Sequence, residues 1–188
     1  MYKNLFNLVY NLIVYPGKTW VQLSEDQNKD NEIFYKSYLN PILGFIALFS
    51  FVGVCISLGK IDFQFALKAV LKQTLTYFVA FYCTSWGLSA ILRSYFYFPV
   101  ERFVLERFVG YSSIVVYLTA MFSALFPSLF FLQIFSIYTL YLVWQGAVFY
   151  FKLNEDIWVK FTIFAGVLIL IFPLLVGFII SLIMPGLK

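Results

Sequence analysis

The sequence predicts an all-α membrane protein: a bundle of five transmembrane helices behind an interfacial amphipathic N-terminal helix. Three observations predict it. Of 188 residues, 62% are hydrophobic and only 12% charged, whereas a soluble domain is about half apolar and a quarter charged. The few charges leave long uncharged runs between them. Alternating strand patterns are missing, and a backbone in lipid must pair its polar groups internally, which leaves helices.

The uncharged runs place the elements. There are 23 such residues between Lys36 and Lys60, 20 between Lys72 and Arg93, 44 between Arg107 and Lys152, and 27 between Lys160 and Lys188. A helix needs roughly 20 apolar residues to cross the hydrocarbon core, so the 44-residue run holds two. Phe126-Pro127-Ser128 divides it: proline cannot continue a helix interior, and Ser128 is the expected cap of the next helix. The expected spans are about 40–58, 70–92, 108–126, 129–151 and 159–184. This makes 1–37 a cytoplasmic or interfacial segment and 38–188 the membrane domain.

With the N-terminus inside, nine Lys and Arg fall on cytoplasmic segments and four, Lys60, Lys68, Lys72 and Lys188, on outer ones. That asymmetry predicts a cytoplasmic N-terminus and an external C-terminus. Lys68 and Lys72 are expected to snorkel from the second span. With no targeting signal expected beyond the spans themselves, the pattern suits a bacterial cytoplasmic membrane, and it suits an endomembrane as well.

The N-terminal stretch differs from a secretory signal, because Asn4, Asn7 and Asn11 interrupt it and no small-residue cleavage site follows. Those asparagines share one helical face, with Leu5, Leu8, Val9, Leu12 and Ile13 on the other. That is the pattern of a helix lying in the membrane interface. Pro16-Gly17 is expected to end it. Thr19 and Gln22 read as a capping box for a second short helix, with Trp20 as an interfacial anchor. Residues 24–32 form the hydrophilic spacer.

Composition excludes several functions. There is no histidine, so the commonest general base and metal ligand is absent. Cys55 and Cys83 both lie in apolar runs and read as small buried hydrophobes. The net charge of +4 is scattered, with no basic tract for nucleic acid. Glu155 and Asp156 are adjacent, so they diverge around a helix and read as the start of the last element. No cofactor, metal site or enzyme activity is expected.

Candidate functional residues fall into three groups. Gly44, Ala47, Ser50 and Gly53 on the first span, and Thr76, Ala80, Thr84 and Gly87 on the second, are small residues that let helices approach closely in lipid. Glu101, Arg102, Glu106 and Arg107 lie on the connector 93–107, where Glu101 complements a helix N-terminus started by Pro99. Glu101, Arg102 and Glu106 are expected to face water, with Phe103, Val104 and Phe108 against lipid, making a docking surface for a soluble partner. Tyr138, Tyr141 and Trp144 are candidates for a ligand groove. Pro173 is expected to kink the last span. Gln133 and Gln145 lie twelve residues apart, about 120° of net rotation, and face different sides.

Several of these segments resemble the Yip family, membrane proteins first known as interactors of Rab-type GTPases. Tyr15-Pro16-Gly17-Lys18-Thr19-Trp20 is similar to the Pro-x-x-x-Trp element that opens bacterial members. Leu39-Asn40-Pro41-Ile42-Leu43 resembles their lead into the first span. Phe108-Val109-Gly110-Tyr111-Ser112-Ser113, with Pro127 downstream, looks like the Gly-Tyr-Ser element and later proline of the third span. The acidic Asp-Leu-Tyr-Gly-Pro motif of eukaryotic members is absent. The resemblance therefore points to the small bacterial branch and away from GTPase binding, and it implies a five-span fold more firmly than a function.

The functional expectation is a non-enzymatic membrane organiser or adaptor. Its partners would be membrane lipids, a second copy and a soluble cytoplasmic protein. The alternative is a small transporter or channel for a lipid or apolar solute.

Overall fold

The computed structural model describes residues 2–25, 31–59, 61–97 and 99–184. The sequence readings on Lys29, Lys60, Lys188 and the middle of the 24–32 spacer lie outside the described residues, as does the side chain of Asp156. The described residues are helical almost throughout and hold no strand. In chain order the helices are α1 (Tyr2–Val14), α2 (Pro16–Glu25), α3 (Asn31–Phe34), α4 (Asn40–Leu58), α5 (Phe63–Ser94), α6 (Arg102–Ser112), α7 (Ile114–Leu125), α8 (Tyr138–Phe149) and α9 (Glu155–Ile183). A π-helical turn, Tyr35–Leu39, joins α3 to α4, and a 3₁₀ segment, Pro127–Ile137, leads into α8.

Four helical runs are long and apolar enough to cross a membrane: Glu32–Leu58, Phe63–Ser94, Pro127–Phe149 and Ile157–Ile183. The pair α6 and α7 makes a fifth when counted as one run bent by 45°. The bend sits at Ser113, so the third apolar run is broken where the sequence reads as continuous. Ser113 Oγ donates back to the Val109 carbonyl at 2.7 Å, and such back-bonding hydroxyls bend helices.

Local chemistry sets the ends. Asp62 caps α5, its side chain accepting from the Phe65 amide at 3.1 Å. That cap starts α5 seven residues before the expected 70. Gly59 closes α4 at φ +62°, a left-handed position that glycine adopts without strain. Pro127 occupies the first helical turn after Phe126 breaks the chain at φ −130° and ψ 85°. Ser128 therefore lies within the helical segment and does not cap it. α9 runs through Pro173 without interruption.

The N-terminal readings change most. Pro16 begins α2, consistent with proline's fixed φ at a helix start. Thr19 is inside α2 and donates to the Tyr15 carbonyl at 3.0 Å, so there is no Thr19–Gln22 capping box. Trp20 is fully buried and is not an interfacial anchor. Its indole Nε1 donates to the Leu142 carbonyl on α8 at 3.1 Å. Its ring packs against Phe108, Tyr111 and Tyr150, with centroids 5.3 to 6.3 Å away. Gly146 makes the room: a Cβ there would meet Phe108 at 2.5 Å and Trp20 at 3.1 Å.

α1 buries Leu5 and Leu12 and leaves Asn4, Asn7 and Asn11 exposed. Leu5, Leu12 and Trp20 belong to the same buried cluster as Ile46, Phe108, Leu142 and Phe161. α1 and α2 thus share one core with the longer helices. α5 packs between α4 and α9, and α7 lies against α4.

Gly53 and Gly44 separate sharply. A Cβ on Gly53 would lie 1.9 Å from the Ala124 carbonyl oxygen, whereas one on Gly44 would meet nothing within 4 Å. Gly53→Ala is expected to lower the thermal unfolding midpoint in detergent, by the about 1–3 kcal/mol typical of overpacking. Gly44→Ala should leave it within about 0.5 kcal/mol, the usual range of surface changes. Equal midpoints for the two variants would contradict the α4–α7 contact.

Candidate functional site

The ionisable groups of α6 do not form the water-facing docking surface that the sequence suggests. Glu101 and Arg102 are exposed, but Glu106 is only 2% exposed and Arg107 is also buried. Phe108, expected against lipid, is fully buried, while Phe103 is exposed. The physical reason is tertiary. α6 packs against α5 and α8, and Phe34 and Tyr35 reach its Gly110 and Glu106, so Glu106 and Arg107 point inward.

The π turn supplies partners. Tyr35 donates its phenol to Glu106 Oε2, and Tyr38 donates to the Gly110 carbonyl at 3.1 Å. The two tyrosines are three residues apart and their acceptors four apart, so the widened turn runs in register with α6. Such π turns recur at functional sites. On the opposite side, Arg102 Nε donates to Glu106 Oε1 at 2.8 Å, its own side chain 74% exposed. Both carboxylate oxygens of Glu106 are therefore engaged, as a buried charge requires.

Glu106 and Arg102 form one wall of a cleft of about 210 Å³. The other wall is α5, which contributes Tyr82, Ser85, Trp86, Ser89 and Arg93, and Val100 closes one side. Ser85 donates to the Phe81 carbonyl at 2.9 Å. Trp86 is 78% exposed at the cleft's edge. Sequence reasoning missed this wall because its residues are separated by apolar ones. The helical spacing 82, 85, 89 and 93, ending on an arginine, was the available signal.

A second cavity, of about 250 Å³, lies between α5, α7, the 3₁₀ segment and α9. Tyr77, Thr119, Gln133, Ser136 and Pro173 face it. Thr119 and Ser136 are hydrogen-bonded to each other at 2.9 Å. Gln145 lies elsewhere, its side-chain oxygen beside Gly17.

The small-residue candidates divide. On α4, Ser50 and Gly53 are buried, Ala47 is half-buried and Gly44 is exposed. On α5, Thr76, Ala80 and Thr84 are buried, and a Cβ on Gly87 would lie 3.4 Å from the Phe172 ring of α9. Tyr138, Tyr141 and Trp144 form a ring ladder that continues to Trp158, with successive centroids 5.3 to 5.6 Å apart. They line neither cavity. Tyr138 instead donates to the Ile13 carbonyl at 2.8 Å, fastening α1 to α8. Cys55 and Cys83 are half-buried free thiols.

No family model, curated protein or solved structure matches the chain.

Removing the Tyr35 phenol strips one donor from a buried carboxylate, which typically costs about 1–3 kcal/mol. Tyr35→Phe is therefore expected to lower the thermal midpoint by that amount, and Tyr10→Phe, on the exposed side of α1, to leave it unchanged. A neutral Tyr35→Phe would show that Glu106 does not depend on the π turn.

Proposed function

We propose that this chain is a non-enzymatic integral membrane protein that organises the membrane around itself, in the manner the Yip resemblance suggests. Five spans would place the N-terminus in the cytoplasm and the C-terminus outside, with α6 and α7 forming one bent span. A bacterial cytoplasmic membrane suits this layout. The observation that carries the reading is the distribution of exposed side chains. Trp86, Phe130, Ile134, Leu174, Phe178 and Leu182 are all well exposed along the long helices, a surface that water would penalise and lipid would not. Glu106 and Arg102 form an ion pair where Tyr35 meets α6.

That pair argues against catalysis as the primary role. Glu106 has its oxygens held by Arg102 and Tyr35, the arrangement of a structural ion pair, which commits the carboxylate to its partners instead of leaving it poised as a base. The exposed Gly44 leaves α4 open to a helix of a second copy, since small residues permit close approach in lipid. The competing reading, a small transporter, draws on the cavity beside Pro173. Arg107 no longer supports a docking role, and a soluble partner would have to recognise Glu101 and Arg102 alone.

Two measurements test the reading. Topology reporters fused to each end should report opposite faces of the membrane; the same face would remove the fifth span. Native mass spectrometry from nanodiscs should show a defined oligomer that Gly44→Ile disperses without loss of helicity. A monomer that supports selective solute flux in liposomes would instead establish the transporter.

A further inference from the structure

We infer that the cleft between α5 and α6 binds the phosphodiester headgroup of a glycerophospholipid, in the leaflet on the side of the N-terminal helices. The inference rests on the membrane placement proposed above and is independent of the organising role. Arg93 and Arg102 both line the cleft, against the single carboxylate of Glu106. The cleft therefore carries one net positive charge, which one phosphodiester neutralises. Guanidinium groups suit phosphate because their N–H groups form a fork matching two phosphate oxygens.

Glu106 does more than subtract charge. It takes Arg102 by Nε at 2.8 Å, which fixes the side chain while leaving both terminal nitrogens of the guanidinium to face a ligand. Tyr35 holds the same carboxylate from behind, so the cationic wall is preorganised. Arg93 is exposed at the last turn of α5 and has no ion pair among the described residues.

The α5 wall distinguishes a lipid from free phosphate. Trp86 lies seven residues before Arg93, about 10 Å along the helix axis. It is 78% exposed and belongs to the apolar surface of α5, while Arg93 stands at the helix end. Ser89 lies between them on the same face. This order, cation then hydroxyl then aromatic, follows a phospholipid from phosphate through glycerol ester to acyl chain.

The test is native mass spectrometry of the full chain released from nanodiscs containing dioleoylphosphatidylglycerol and dioleoylglycerol. One phosphatidylglycerol per chain is expected to be retained, and no dioleoylglycerol. Arg93→Gln and Arg102→Gln should each lower the retained fraction at least tenfold, Arg93→Lys should lower it less than Arg93→Gln because the charge stays while the fork is lost, and added glycerol 3-phosphate should not displace it. Equal retention in the Arg93→Gln variant, or equal retention of dioleoylglycerol, would overturn the site. Displacement by glycerol 3-phosphate would overturn the lipid assignment in favour of a soluble phosphate. Should Arg102→Gln lose helicity by circular dichroism, Arg93→Gln carries the test alone, because its side chain bonds to no other described residue. The topology reporters separate failure of the membrane placement from failure of the site.

Discussion

The insertion of Trp20 into the gap above Gly146 is the contact on which the surrounding arrangement depends. A fully buried indole removes a large apolar area from solvent and satisfies its one polar group on the Leu142 carbonyl. It also joins three elements distant in sequence, since Phe108 of α6 and Tyr150 beyond α8 pack on the same ring. α6 is thereby drawn into the interior. Leu105, Phe108 and Tyr111 follow one another at a helical turn's spacing on that buried side, and the elements packed around α6 enclose the rest from Leu105 to Ser112, Glu106 and Arg107 included.

That burial would be costly for an unpaired carboxylate. The π turn and Arg102 supply the compensation from opposite sides. The consequence is a cleft in which one arginine is bonded to Glu106 and a second, exposed at the end of α5, has no ion pair among the described residues. Stability and candidate function are thus linked through one residue: Glu106 is both the liability that the fold must satisfy and the group that orients the cationic wall. The second cavity, beside Pro173, has no charged lining, so it offers hydrogen bonds without the same electrostatic selectivity.

Some of the site was legible in the sequence. Arg102 and Glu106 at i and i+4 announced a pair, and Tyr35 stood at the edge of an apolar run. The facing of α6 was not legible. The pattern Glu101, Arg102, Phe103, Val104, Leu105, Glu106, Arg107, Phe108 puts charges and aromatics on more than one side, and periodicity alone does not say which side meets the bundle. The same ambiguity affected Trp20, because an aromatic beside Pro16-Gly17 reads equally as an interfacial anchor or a core plug. Tyr138, Tyr141 and Trp144 did come together, yet as a ladder of tilted and edge-on rings whose first ring fastens α1.

The sequence by itself determined the helical class and the approximate position of the long apolar runs, because hydrocarbon length and backbone hydrogen bonding act locally along the chain. It also determined Pro127 as a break, since proline's missing N–H acts on its own turn. Only the tertiary structure decided that α6 and α7 meet at 45°, that Gly53 rather than Gly44 carries the close contact with Ala124, and that Glu106 lies inside. Those outcomes depend on which helix arrives opposite each face. The relevant partners are separated by tens of residues, from Gly53 to Ala124 and from Tyr35 to Glu106, and no local propensity encodes them.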